Sequence, residues 1–194
     1  MVEISEMELF FPFKGERNYV HGTDIYNKLK DITLSFNPKK MDVRFNGMSK
    51  KSLIVKKNAD ISLAKVNFSF ESSGVEYRYS LIEGSTDIIA KSIYDENVIL
   101  RLSALNLERK EVCQQSNSGY TFIENVVALN KYLLSSILTE KKGKWLFTRI
   151  EIERFADESS LVVIKLVKNF NYRIVKSDIY VDNDCIGSIY FSLA

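Results

Sequence analysis

The chain has 194 residues, 45% hydrophobic and 27% charged, with a net charge of +2, two prolines and eight glycines. That composition excludes a disordered chain, compels no nucleic-acid partner, and contains no run near the roughly 18 uninterrupted apolar residues of a membrane span. Cys113 and Cys185 lack metal-ligand spacing and read as free thiols in a reducing compartment. The acidic start (Glu3, Glu6, Glu8) is unlike a secretory leader, so a cytoplasmic protein is expected.

In chain order, the apolar stretch Ile4 to Phe13 reads as a strand. The stripe Ile25, Leu29, Ile32 and Phe36 then predicts a helix over residues 23–36, stopped by Pro38. Strands follow to Tyr94. In residues 77–79 and 172–173, aromatic and basic side chains alternate with period two, as the core and solvent faces of strands do. Residues 98–107 are expected as a strand. The strongest helical pattern runs over 121–138, opened by a capping box of Thr121 and Glu124 and closed by Lys141, Lys142, Gly143 and Lys144. Trp145 to Arg154 alternates, with Leu146, Thr148, Ile150 and Ile152 on one face and Phe147, Arg149, Glu151 and Glu153 on the other. The last third is a strand, a long hairpin with turn chemistry from Asp182, Asn183, Asp184 and Gly187, and a final strand.

The order strand, helix, strands therefore occurs twice, over residues 1–95 and 96–194. Residues 76–94 also align loosely with residues 171–190. Helices on one face of an antiparallel sheet define an α+β architecture. Two similar units would leave a seam, where a shared site is expected.

His21 is the only histidine, and histidine is the side chain that exchanges protons near neutrality. It stands ahead of the first helix beside Gly22, where helix amides can receive negative charge. An arbitrary histidine there is more often a hydrogen-bonded loop residue. No phosphate-binding glycine loop, zinc set or nucleophile elbow is present. Lys50, Lys51, Lys56, Lys57, Lys141, Lys142 and Lys144 could meet an acidic partner, although most such lysines solvate a surface.

The duplicated order, and the ending LFTRIEIERFADESSLVVIKLVKNFNYRIVKSDIYVDNDCIGSIYFSLA, resemble the hot-dog fold and its double hot-dog dehydratases. The resemblance implies a tandem hot-dog, each repeat an antiparallel sheet wrapped around a central helix. It implies dehydration of a 3-hydroxyacyl thioester, or the reverse hydration, in fatty-acid- or polyketide-like metabolism. The substrate would ride on an acyl carrier protein or coenzyme A, with no cofactor of the protein's own, no metal, no nucleic acid and no membrane, and with room for a homodimer. Gly15-Glu16-Arg17-Asn18-Tyr19-Val20-His21 is similar to the hydratase motif Gly-Asp-x-Asn-Pro-(Leu/Ile/Val)-His, with Glu16 for the aspartate and Tyr19 for the proline. Gly119 to Glu124 reproduces the glycine-to-acid spacing of the dehydratase helix. Those positions make His21, Glu124 and Glu16 the implied catalytic residues, with Gly22, Gly119, Asn18, Tyr19, Phe122 and Ile123 around the substrate. In that reading His21 takes the C2 proton, Glu124 serves the C3 hydroxyl, and helix-start amides hold the thioester oxygen. The capping box explains Glu124 equally well without catalysis, and Glu16 reads more readily as an exposed turn acid beside Lys14 and Arg17. A thioesterase, or a non-catalytic binding or scaffold protein on the same fold, are the alternatives.

Overall fold

The computed structural model describes residues 3–57 and 59–194. The chain divides into two compact units, Met1–Tyr94 and Asp95–Ala194. No helix among the described residues is long and apolar enough to cross a membrane.

In the first unit the expected opening strand is broken in two. β1 (Met7–Leu9) and β2 (Phe13–Lys14) are separated at Pro12, which has no N–H to give a ladder. The helix α1 (Gly22–Thr33) continues as a 3-10 turn over Leu34–Phe36. Asn37 then adopts a left-handed φ of 49° just before Pro38, which ends the segment where the sequence places the stop. Four long strands follow: β3 (Lys40–Phe45), β4 (Lys51–Lys56), β5 (Ala64–Ser72) and β6 (Val75–Asp87). The short β7 (Lys91–Ser92) lies parallel to β2.

The unit's antiparallel sheet has the order β1-β4-β6-β5-β3. Strict alternation along β5 turns Val66, Phe68 and Phe70 inward, each at most 2% exposed. Cross-strand partners then stack: Phe68 on Tyr79 at 5.4 Å and Phe70 on Tyr77 at 4.9 Å between centroids. Arg78, between those tyrosines, is exposed and pairs with Glu76, so the period-two reading of this segment holds.

In the second unit the expected strand over 98–107 is half helix. α2 (Glu96–Arg101) precedes β8 (Ser103–Asn106). Asp95 caps α2 by accepting the Asn97 N–H at 3.0 Å, and Glu96 pairs with Lys131 at 2.7 Å. Ile99 is fully buried. A short apolar run has no preference strong enough to resist such a cap plus docking on a longer helix.

β9 (Glu111–Gln114) and the sixteen-residue α3 (Phe122–Ile137) come next. The helix packs on β9 and on the later strands β10 (Trp145–Ile152) and β11 (Val162–Phe170). It ends at Ile137, before the lysine cluster. β12 (Ile174–Val181) and β13 (Asp184–Leu193) complete a sheet of order β10-β13-β12-β11-β9-β8.

Three sequence expectations change here. A bulge between Phe147 and Arg149 shifts the register of β10, so Trp145 and Phe147 share the face of Ile150 and Ile152, and Leu146 does not. Phe147 stacks on buried Phe191 at 5.7 Å. The hairpin is turned by Asp182 and Asn183, both at positive φ, and Gly187 lies within β13. Finally, residues 76–94 are mostly the single strand β6, whereas residues 171–190 form a hairpin. The loose alignment of the two tails therefore matches unlike structures.

Counting from the strand before the long helix, the first unit runs 1-3-5-4-2 and the second 1-3-4-5-2, with β8 added outside. The inner pair is exchanged. Asn171 and Tyr172, at φ 50° and 63°, turn β11 tightly into β12, so those strands must be neighbours. β4 and β5 are joined by residues 57–63, which include a 3-10 turn, and that length lets β6 lie between them.

Gly187 is the position where backbone proximity decides the residue. A Cβ there would lie 2.1 Å from the Glu151 carbonyl oxygen and 3.1 Å from the Ile152 Cα. Gly187→Ala is expected to destabilise the protein by about 1–3 kcal/mol or more, as overpacking does. Gly74→Ala, with nothing within 4 Å of its Cβ, loses only what its positive φ requires. Urea midpoints of the two variants check the order.

Candidate functional site

β2 is held from both sides of Lys14: the Phe13 N–H donates to the Ala90 carbonyl at 2.8 Å and the Gly15 N–H to the Ser92 carbonyl at 2.9 Å. The chain then reverses over residues 14–17, with Arg17 N–H on the Lys14 carbonyl at 3.1 Å. Gly15 supplies the positive φ of 55° that this reversal requires. Buried Val20 is anchored on the Ser49 carbonyl at 2.8 Å, and His21 follows as the N-cap residue of α1. Its backbone is extended (φ −77°, ψ 135°) and its carbonyl accepts the Asp24 N–H at 3.0 Å.

The His21 ring does not cap the helix. It is 9% exposed, with Nδ1 2.7 Å from the Thr23 hydroxyl. That hydroxyl also accepts from Lys14 Nζ at 3.0 Å, and Thr23 is fully buried. Lys14, 6% exposed, lies 2.6 Å from the Asp24 carboxylate. A charge this buried needs such a partner, and Asp24 in the first helical turn also suits the helix dipole.

Tyr94 completes the cluster. Its ring centroid is 5.9 Å from that of His21, 5.0 Å from Lys14 Nζ and 5.4 Å from the Arg17 guanidinium carbon. Lys14, Thr23, Asp24 and Tyr94 are absent from the sequence-level site. The signal for Thr23 and Asp24 was only their place in the first turn; Lys14 and Tyr94 have none, because the β2–β7 pairing brings them in.

Glu16 is exposed in the turn, and Asn18 is exposed on the following bend. Tyr19 and Gly22 are half-buried. The acid beside the His21 network is Asp24, in contact through Lys14.

In the second unit the capping box of α3 is present as expected. Glu124 Oε2 accepts the Thr121 N–H at 2.8 Å and the Thr121 hydroxyl at 2.7 Å, and the residue is 7% exposed. Phe122 and Ile123 are buried, and the Phe122 N–H donates to Glu158 at 2.6 Å. Gly119, at φ 78°, is exposed and gives its N–H to Asn117 Oδ1 at 2.8 Å.

Both cysteines are free, and burial, helped by the Glu111 carboxylate, pushes the Cys113 thiol up. A cleft of about 530 Å³ lies on the polar face of β3, β5 and β6, but its arginines are already matched, Arg44 with Asp42 and Arg78 with Glu76.

No known protein-family profile matches the chain, and no curated protein matches it. Solved structures do. A TesB protein of Mycobacterium avium subsp. paratuberculosis superposes with a TM-score of 0.53 at 8% identity, over 97% of this chain and 92% of the other. A bifunctional dehydratase-cyclase domain of ambruticin biosynthesis gives 0.50 at 8% identity, over 91% and 82%. The fold is of the hot-dog class. A dehydratase domain of RzxB from Pseudomonas fluorescens also matches, at 0.46 and 9% identity over 96% and 94%.

The Lys14–Asp24 pair sets the shape of the hot-dog chain's first helix start. Removing one member of a buried pair costs about 3–5 kcal/mol, because the other charge is left in place. Lys14→Met is expected to destabilise by that order, and by clearly less in an Asp24→Asn background. A double-mutant cycle in urea measures the difference.

Proposed function

We propose that the chain acts on acyl thioesters as a 3-hydroxyacyl-thioester dehydratase or, in reverse, an enoyl hydratase. Its substrate would be carried on the phosphopantetheine arm of an acyl carrier protein or of coenzyme A, with no cofactor of the protein's own. The observation that carries this reading is the sole histidine, buried at the N-cap of the first helix and held by a hydroxyl. A hot-dog fold whose structural neighbours include a TesB protein and a dehydratase-cyclase domain supports it.

Dehydration removes a proton from C2, protonates the departing C3 hydroxyl, and places negative charge on the thioester oxygen. We assign these duties to two side chains, His21 and Glu124. The Gly22 and Thr23 amides at the start of α1 serve as further donors, since the His21 side chain does not cap the helix and its carbonyl takes the Asp24 and Ile25 amides.

A thioesterase is the second reading, favoured by the TesB likeness at TM-score 0.53. In it Glu124 activates water and His21 is secondary.

Purified protein offered 3-hydroxyacyl and enoyl thioesters is expected to interconvert them, read by enoyl absorbance. His21→Ala should lower kcat/KM by about 10²–10⁴, the range of general acid–base and donor contributions. Glu124→Gln keeps an oxygen for the Thr121 N–H, so it should fold normally and lose activity to a similar degree. Release of free thiol without enoyl chemistry selects the thioesterase. Undiminished turnover by His21→Ala on every thioester the native chain processes would sink the dehydratase reading, and undiminished thiol release by Glu124→Gln would sink the thioesterase.

A further inference from the structure

Among the described residues the Thr23 hydroxyl has two hydrogen-bond partners, Lys14 Nζ at 3.0 Å and His21 Nδ1 at 2.7 Å, and Thr23 is fully buried. An ammonium can only donate, so Lys14 occupies the oxygen as an acceptor. The hydroxyl hydrogen then has one acceptor on offer, the Nδ1 lone pair. If Nδ1 carried a proton, it too would donate to this oxygen, and the hydroxyl hydrogen would be buried without an acceptor. The 2.6 Å contact with Asp24 orients the Lys14 ammonium, so the direction of donation runs from Lys14 through Thr23 to His21. The remaining ring nitrogen of a neutral imidazole must carry the hydrogen.

We propose that Lys14 and Thr23 are positioning residues that fix His21 as a neutral Nε2–H donor. In the acyl-thioester reaction proposed above, on which this consequence rests, His21 then serves the thioester oxygen and not the C2 proton. A neutral imidazole aimed at a carbonyl oxygen polarises it without giving up its proton, a recognised electrophilic use of histidine at a helix N-terminus. The C2 proton passes instead to a carboxylate and from it to the C3 hydroxyl, which leaves as water while the C2–C3 double bond forms; the imidazole ends the cycle unchanged. This revises the role that the hydratase-like motif implies for His21, and it does so from the hydrogen-bond order alone.

With a single histidine in the chain, the imidazole of ¹⁵N-labelled native protein gives one set of ring signals in a long-range ¹⁵N–¹H correlation spectrum, with no substrate needed. At neutral pH the expected pattern is a protonated Nε2 and an unprotonated Nδ1. Thr23→Val removes the hydroxyl and should bring up the Nδ1–H form, whereas Thr23→Ser should keep the native pattern. Lys14→Met frees the hydroxyl to accept and should also admit Nδ1–H. In turnover, Thr23→Val is expected to lower kcat by about 10²-fold with little change in KM, the scale of losing one oxyanion donor, and Thr23→Ser to restore it. A native protein showing Nδ1–H, or a pattern unmoved by Thr23→Val, overturns the proposal without any variant activity being consulted. A tautomer that shifts in Thr23→Val while kcat does not overturns the carbonyl role. The expected tautomer in a protein that processes no thioester upholds the assignment at His21 and removes the proposed function instead.

Discussion

Lys14 and Asp24 sit 2.6 Å apart with most of their side-chain surface out of water, and the first helix start is organised by that pair. The ammonium cannot be left bare in such a place, so the carboxylate holds it; the remaining donors of the ammonium must then find acceptors, and the Thr23 hydroxyl is one. The direction of hydrogen bonding at His21 follows from this, one hydroxyl away from the ammonium. A surface ion pair at the same distance would contribute little and orient nothing. Burial is what turns a common ion pair into a constraint on an imidazole.

The two long helices begin in opposite ways. At α3 a threonine and a glutamate satisfy one another and the first amides in a closed box, backed by Asn125 on the Tyr120 and Thr121 carbonyls at 3.1 Å and by Glu158 on the Phe122 N–H. At α1 the residue in the capping position is a histidine whose ring turns to a neighbouring hydroxyl instead. A box completes a helix end; a non-capping histidine leaves its amides to other acceptors. That contrast is why the first unit carries the chemical argument, while Glu124 enters the proposed reaction as a residue that already has a structural duty.

The sheets show how far the two units agree in strand order. Both units place the strand before the long helix beside the second strand after it, and both keep the first strand after the helix at an end. Between those limits the strands are ordered differently, because a three-residue turn over Asn171, Tyr172 and Arg173 forces β11 and β12 together while a longer connection separates β4 from β5. Hydrophobic pattern is blind to that difference, since a strand buries one face whichever neighbour it has.

The hot-dog class was legible as a resemblance; from the residues themselves α1 and α3, the capping box of Thr121 and Glu124, the stop at Pro38 and the alternation of Tyr77, Arg78 and Tyr79 were legible. Each is written in short-range terms: a period of 3.6 or 2, a cap, a proline. The bulge at Thr148 was not, because an inserted residue alters pairing without altering the alternation on either side. α2 was hidden because its helical state depends on Asp95 and on docking at Lys131. The network around His21 was decided by tertiary structure, since Lys14 and Tyr94 are eighty residues apart and meet only where β2 pairs with β7. The sequence determined that one histidine stands at a helix start; the buried lysine that dictates which of its nitrogens holds the hydrogen could come only from the fold.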